Sequence, residues 1–154
     1  MHPLVVNATE LVRQPGTDRR IDVPVALDEL EVSDDRLGGD VAVNLRLEST
    51  LDDIVVTGTL AVRWSDTCRR CLRPLDDTLR IEVDERTEAV NGKLDLTTMV
   101  RDEVLLGLPD APLCRPDCPG LCPTCGADLT VETCGCTTEV RDERWAVLDQ
   151  LRDA

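Results

Sequence analysis

The chain has 154 residues, a formal net charge of −14, eight cysteines, and two tryptophans as its only large aromatic side chains. This length allows one compact domain with an appendage, and no segment approaches the roughly 18 apolar residues that a membrane-spanning helix needs. The acidity excludes a general phosphate-binding surface, and two tryptophans are too few for an aromatic platform that stacks single-stranded nucleic acid.

The amino-terminal residues lack the basic region, apolar run and cleavage site of a secretory signal, so we expect a cytoplasmic protein. Arginine outnumbers lysine sixteen to one, a bias typical of GC-rich bacterial genomes. Cytoplasmic thiols stay reduced, and closely spaced cysteines there indicate metal ligands before disulfides. A strongly acidic protein favours basic partners through long-range fields, although acidity that only maintains solubility is the simpler interpretation.

Alternation of apolar and polar residues predicts an antiparallel sheet in the first part of the chain. Residues 41–50 alternate most cleanly, and 54–64 and 78–86 are the next predicted strands. The short loops between these strands suggest a meander. Residues 21–27 add a further strand, which Pro24 restricts to an edge of the sheet.

Two segments change to the helical period. Residues 95–107 carry an apolar stripe at helical spacing, and Asp95 is the candidate N-cap. Residues 141–154 form a second amphipathic helix, which would be the terminal helix of the chain. The segments 13–20 and 34–40 are rich in turn-forming residues and should be exposed loops.

Six of the eight cysteines lie within residues 114–136. The last four have the spacing C-x-x-C followed by C-x-C, which can surround one ion in a tetrahedron. The eight residues between the two pairs are long enough for a short hairpin that brings the second pair back. These four cysteines form the predicted site two: Cys122, Cys125, Cys134 and Cys136.

The other two pairs predict a second four-cysteine site. Cys68 and Cys71 form a C-x-x-C loop between two predicted strands, which is the position of a zinc knuckle. One pair cannot fill a tetrahedral shell, so we predict that it shares an ion with the remaining pair and links the sheet to the tail. The predicted site one is therefore Cys68, Cys71, Cys114 and Cys118. Two structural zinc ions, each contributing about 10–16 kcal/mol of apparent binding energy, would decide whether residues 110–140 fold.

Other chemistries of paired cysteines fit less well. A redox C-x-x-C lies at a helix N-terminus in a βαβ pattern, and neither C-x-x-C pair of this chain has that context. An iron–sulfur cluster uses the same four-cysteine ligation and stays an alternative. Catalytic zinc keeps an open position, usually with a histidine nearby, and the only histidine is His2. Without a Gly-rich phosphate loop, a Ser–His–Asp set or an H-E-x-x-H motif, we expect no enzymatic activity and no small-molecule substrate.

Four arginines cluster around the first cysteine pair in this otherwise acidic chain: Arg63, Arg69, Arg70 and Arg73. One interpretation is an anion contact, such as an RNA phosphate. The other is that these guanidinium groups neutralise the negative four-cysteine site. Both interpretations stay open.

Five stretches carry a resemblance to a known family: "CRRCLRPL" (68–75), "LDLTTMVRDEVLLGLPDAPLC" (94–114), "DCPGLCPTCGADL" (117–129), "CGC" (134–136) and "DERWAVLDQL" (142–151). In this order they resemble the YceD-like family, whose members are associated with accumulation of large-subunit ribosomal RNA. The resemblance implies a factor for large-subunit biogenesis without known catalysis. Genes of such proteins commonly neighbour the gene of ribosomal protein bL32, so a basic ribosomal protein, with bL32 as a candidate, or a large-subunit precursor is the implied partner.

We therefore expect an α+β protein with two parts. Residues 1–109 would form a small antiparallel sheet domain with one packed helix, and residues 110–154 a zinc-ribbon-like segment with the terminal helix. The function we expect is that of a non-enzymatic factor, with two zinc ions, for 23S rRNA accumulation. The alternatives are a zinc-ribbon adaptor in transcription or another complex, and a thiol-redox or iron–sulfur protein.

Overall fold

The structure, a computed structural model, describes residues 2–136 and divides the chain into two compact units. The first, here called the sheet unit, comprises Met1–Thr67 and Pro74–Pro112. The second, the cysteine unit, comprises Cys68–Arg73 and Leu113–Ala154. The first cysteine pair thus belongs to the second unit, although it lies between two strands in sequence. The predicted terminal helix, 141–154, lies outside the described residues.

In chain order the elements are β1 (Val5–Asn7), α1 (Thr9–Arg13), β2 (Asp18–Val25), a 3-10 turn (Asp28–Leu30), β3 (Leu37–Ser49), β4 (Ile54–Thr67), β5 (Pro74–Thr87), β6 (Lys93–Asp95) and α2 (Thr97–Gly107). The main sheet has the order β2-β3-β4-β5, and each pair of neighbours is antiparallel. The predicted meander and the α+β class are confirmed. β2 is an edge strand, as Pro24 requires.

The core of the sheet unit forms on one face of the main sheet. The inward side chains of β3 are at most 1% exposed, whereas the residues between them are exposed: the inward set is Val41, Val43, Leu45 and Leu47. Helix α2 contacts β4 and β5 and buries Val100 and Val104 completely. Burial of such aliphatic side chains contributes about 1.5–3 kcal/mol each relative to exposure. The unit therefore has an apolar core of its own.

A small second sheet corrects the predicted start of the helix. β1 pairs with β6, and Val5 lies opposite Asp95, so Asp95 belongs to a strand and α2 begins at Thr97. Leu96, not Asp95, is the N-cap residue. The Asp95 carboxylate still accepts the Thr97 N–H at 2.9 Å. Hydrogen bonds from Thr97 hold the pKa of Asp95 below its usual value.

The two predicted loops are wrong over part of their length. Residues 18–20 belong to β2, where Asp18 pairs with Glu48, and residues 37–40 belong to β3. Backbone hydrogen bonds extend a strand beyond its buried part, so polar side chains alone do not end it. Within residues 2–136, no helix has the length and apolar character needed to cross a membrane.

Candidate metal centres

The structure brings the eight cysteines together in two groups of four, both within the cysteine unit. The first group is Cys68, Cys71, Cys114 and Cys118, and the second is Cys122, Cys125, Cys134 and Cys136. Within each group the four sulfurs lie within 4.8 Å of one another. These are the two sets that the spacing predicts, here called site one and site two.

The sulfur distances of site one match a tetrahedral ion. Cys68 Sγ lies 3.8 Å from Cys118 Sγ, and Cys71 Sγ lies 3.8 Å from Cys114 Sγ. Four thiolates at about 2.3 Å from a central zinc ion would be separated by about 3.8 Å, the edge of that tetrahedron. A disulfide needs about 2.05 Å, and all eight cysteines are free thiols. The donor set and its geometry therefore fit zinc.

Both C-x-x-C loops have the same backbone hydrogen bonds. In the first, Leu72 N–H donates to the Cys68 carbonyl (2.8 Å) and Cys68 N–H to the Arg73 carbonyl (2.8 Å). In the second, Gly126 N–H donates to the Cys122 carbonyl (2.9 Å) and Cys122 N–H to the Ala127 carbonyl (2.8 Å). The two loops are thus equivalent knuckles, each closed by a turn around its cysteine pair.

The residue after the second cysteine distinguishes the knuckles. The turn requires a left-handed backbone there, with φ of +76° at Gly126 and +59° at Leu72. Glycine adopts this conformation without cost, whereas a residue with a Cβ loses about 1 kcal/mol or more. The Leu72 side chain is 62% exposed, so burial does not offset this cost. The first knuckle therefore retains strain that the second avoids.

Hydrogen bonds tie the first knuckle to the rest of the cysteine unit. Arg70 Nη1 donates to the Cys118 carbonyl at 2.9 Å, and Leu121 N–H donates to the Arg70 carbonyl at 3.0 Å. Arg73 Nη2 donates to Thr130 Oγ1 at 3.0 Å. These contacts connect the knuckle to both segments that carry the other cysteines. These hydrogen bonds stabilise the cysteine unit independently of any bound ion.

The predicted arginine cluster is divided between the two units. Arg63 lies on β4 in the sheet unit, where it forms an exposed ion pair with Asp76 at 3.3 Å. Arg69, Arg70 and Arg73 lie in the cysteine unit, and the last two make the internal contacts described above. A structural role thus accounts for Arg70 and Arg73, and the anion contact stays a prediction.

The segment between the two halves of site two turns back differently from the expected hairpin. Leu121 and Asp128 form an isolated antiparallel bridge that frames the second knuckle. The Asp128 carboxylate then accepts hydrogen bonds from the N–H (2.8 Å) and hydroxyl (2.6 Å) of Thr130. Those two bonds lower the pKa of Asp128. This turn was not predicted, although an Asp side chain that bonds the backbone two residues further on is a recognised turn signal.

The thiol pKa values follow from backbone donors and from crowding. Backbone N–H groups, that of Cys71 foremost, lower the pKa of Cys68 to about 6. Those of Cys125 and Thr124 do the same for Cys122, also to about 6. Burial raises the pKa of Cys114 to about 12. The first cysteine of each knuckle is therefore a thiolate at neutral pH. Deprotonation of all four thiols of a site requires a bound cation.

The two sites differ in exposure. In site one, three of the four cysteines are buried and Cys114 is half-buried. In site two only Cys122 is buried, and Cys125 is exposed. Over residues 68–73 and 113–136, every buried side chain is a cysteine. The two sulfur clusters thus take the place of an apolar core in this part of the chain.

Fold and sites together define a class: an α+β protein whose second unit is organised around two closed four-cysteine centres. The sequence model of "Large ribosomal RNA subunit accumulation protein YceD" matches residues 82–152. The chain belongs to the YceD family.

Curated relatives extend this result. An uncharacterized protein of Mycobacterium tuberculosis is 35% identical over 97% of this chain and 81% of its own length. One from Mycobacterium leprae is 32% identical over 97% and 77%. The Arabidopsis thaliana protein named "Large ribosomal RNA subunit accumulation protein YCED homolog 1, chloroplastic" is 33% identical over 40% of this chain and 19% of its own length. No solved structure matches.

Proposed function

We propose that the protein is a non-enzymatic factor for accumulation of large-subunit ribosomal RNA, and that its second unit is folded by two zinc ions. The observation that carries the metal assignment is the pair of four-sulfur groups, each with all sulfurs within 4.8 Å. Zinc is the ion that closed tetrahedral four-cysteine sites most often hold as a structural element.

The same distances argue against the alternatives for the cysteines. In a polynuclear iron–sulfur cluster the four thiolates are divided among two or four irons, so the sulfurs on different irons lie further apart than sulfurs around one ion. In a thiol oxidoreductase the reactive pair lies at a helix N-terminus. Here the first knuckle lies between two strands and the second between turns. A catalytic zinc site with a histidine ligand is disfavoured because the only histidine, His2, belongs to the sheet unit.

The assignment to ribosomal RNA is supported by the family model and by the names of the plant relatives. The net charge of −14 favours a basic partner. Eight thiolates and two divalent ions would add four further negative charges. Ribosomal proteins are abundant basic proteins of the cytoplasm, so a basic ribosomal protein, such as bL32, or a large-subunit precursor is the partner we propose.

Metal analysis of the purified protein tests the zinc assignment. We expect two equivalents of zinc and one after either Cys118→Ser or Cys134→Ser, because each removes a ligand from one site. Val131→Ser is a matched control, since Val131 is 77% exposed and belongs to neither cysteine group. Iron with labile sulfide, or thiols linked as disulfides in folded protein, would overturn the assignment.

Depletion of the protein in its native host tests the cellular role. We expect a lower ratio of large- to small-subunit rRNA, restored by the wild-type gene. Affinity purification should recover large-subunit precursors or ribosomal proteins. Recovery of a transcription complex instead, with an unchanged rRNA ratio, would favour the adaptor alternative.

A further inference from the structure

We propose that the free edge of β5 is a docking site for an extended basic segment of a partner protein, which would pair with it as an added strand. This inference rests on the proposed function only for the identity of the partner. It depends on three features of the sheet unit: an open strand edge, its charge, and the apolar surface beside it.

β5 is the last strand of the main sheet and has 14 residues. In an antiparallel pair, every second residue of an edge strand directs its N–H and C=O away from the neighbouring strand. Among residues 2–136, only β4 hydrogen-bonds to the β5 backbone, apart from a local bond from Thr78 N–H to the Asp77 carboxylate. The outer edge thus presents a long row of backbone donors and acceptors, the template on which strand addition depends.

The opposite edge of the same sheet, formed by β2, is unsuited to pairing with an added strand. β2 has eight residues and contains Pro24, which cannot donate to an added strand. It also carries two arginines and two aspartates, so its formal charge is balanced. β5 has proline only at its first residue, Pro74. Within residues 2–136, β5 is therefore the edge that is open to pairing.

The charge of β5 selects the partner. The strand carries five acidic residues and two arginines. Within the described part of the chain, four of the acidic residues form no ion pair: Asp77, Glu82, Asp84 and Glu85. Pairing with a second copy of this chain would bring together two strands that each carry an excess of acidic residues, and like charges on paired strands are destabilising. A strand rich in arginine or lysine would instead neutralise them.

An apolar surface lies beside the edge. Leu79 and Ile81 of β5 are only half-buried. Helix α2 approaches them so closely at Gly107 that a Cβ there would come within 2.8 Å of Ile81. The residue before it, Leu106, is 82% exposed. An added strand with alternating basic and aliphatic side chains could thus match both the charges and the apolar neighbours of β5.

Binding of a designed peptide tests the proposal. The probe is a peptide of about ten residues that alternates arginine and valine; a second peptide replaces two central valines with proline, which keeps the charge but prevents pairing. We expect the alternating peptide to bind at least about tenfold more tightly than the proline peptide. Hydrogen exchange should slow at amides of β5 and not at those of β2. Equal affinities, or protection elsewhere, would overturn the proposal.

Charge reversal supplies the matched control. Glu82→Arg with Asp84→Arg should weaken binding about tenfold, whereas Asp22→Arg with Glu10→Arg changes net charge equally and should have little effect. If both pairs of substitutions weakened peptide binding equally, the interaction would depend only on net charge, and strand docking would be overturned. The rRNA ratio in depleted cells is a separate measurement, so failure of the docking site is distinguishable from failure of the proposed function.

Discussion

The interior of the sheet unit and the interior of the cysteine unit are stabilised by different interactions. The sheet unit buries a continuous set of aliphatic side chains from its strands and α2. In the cysteine unit, over 68–73 and 113–136, the buried side chains are all sulfurs. A segment this short cannot bury enough apolar surface to offset its conformational entropy. One chain can thus combine a unit stabilised by hydrophobic burial with one whose stability, under the proposed function, depends on metal ligation.

The largest effect should come from removing metal. A strong zinc chelator should unfold the cysteine unit and leave the sheet unit folded, because about 10–16 kcal/mol per site of metal-binding energy is lost. Hydrogen exchange, followed by mass spectrometry, should accelerate at residues 113–136 and not at residues 41–62. If both regions retained their protection without metal, the two units would not differ as we infer.

The reverse experiment removes apolar burial instead. Leu45 is 1% exposed, and Leu45→Ala should lower the free energy of unfolding of the sheet unit by about 3 kcal/mol through lost burial and a cavity. The zinc content should stay unchanged. Asn44→Ala, at the exposed neighbouring position, is the control. Loss of zinc from the Leu45→Ala protein would show that the two stabilities are not separable.

Acidification should weaken zinc binding in two stages. Metal binding displaces thiol protons, so affinity falls as pH falls, by about tenfold per pH unit for each proton displaced. The pKa of about 12 at Cys114 and Cys136 makes this fall begin above neutral pH. Below pH 6, protonation of Cys68 and Cys122, with pKa values of about 6, should steepen it. Chelator competition between pH 8 and pH 5 measures the slope, and a constant slope would contradict these shifts.

The smallest effect distinguishes the two knuckles. Leu72→Gly should stabilise the first knuckle by about 1 kcal/mol, since glycine removes the cost of the left-handed backbone. Gly126→Leu should destabilise the second by a similar amount. Competition with a chelator, resolved by site, measures both. A loss of affinity in the Leu72→Gly protein would show that the leucine side chain makes a stabilising contact.

Much of the fold could be predicted, because its signals are local. The alternation at 41–50 identifies the buried face of β3, and Pro24 identifies an edge strand. The short pairing of β1 with β6 could not be predicted from periodicity, since three-residue strands do not establish a period. One signal for the start of β6 was present, the dipeptide Asn91-Gly92. Asn91 and Gly92 both have positive φ, as a type I′ turn requires. This turn joins Val90 to Lys93, and these two residues form a β-bridge.

For the candidate metal centres, the spacing of the cysteines alone predicts the two groups of four that the structure brings together, because chelation by C-x-x-C is a property of a few consecutive residues. The differences between the sites could not be predicted from the spacing. Site one is more buried than site two, and Arg70 and Arg73 bind within the cysteine unit. Among residues 2–136, only β4 pairs with the acidic strand β5. All three features depend on which distant segments meet. Burial and long-range hydrogen bonds are set by the packed chain, so only the tertiary structure decides them.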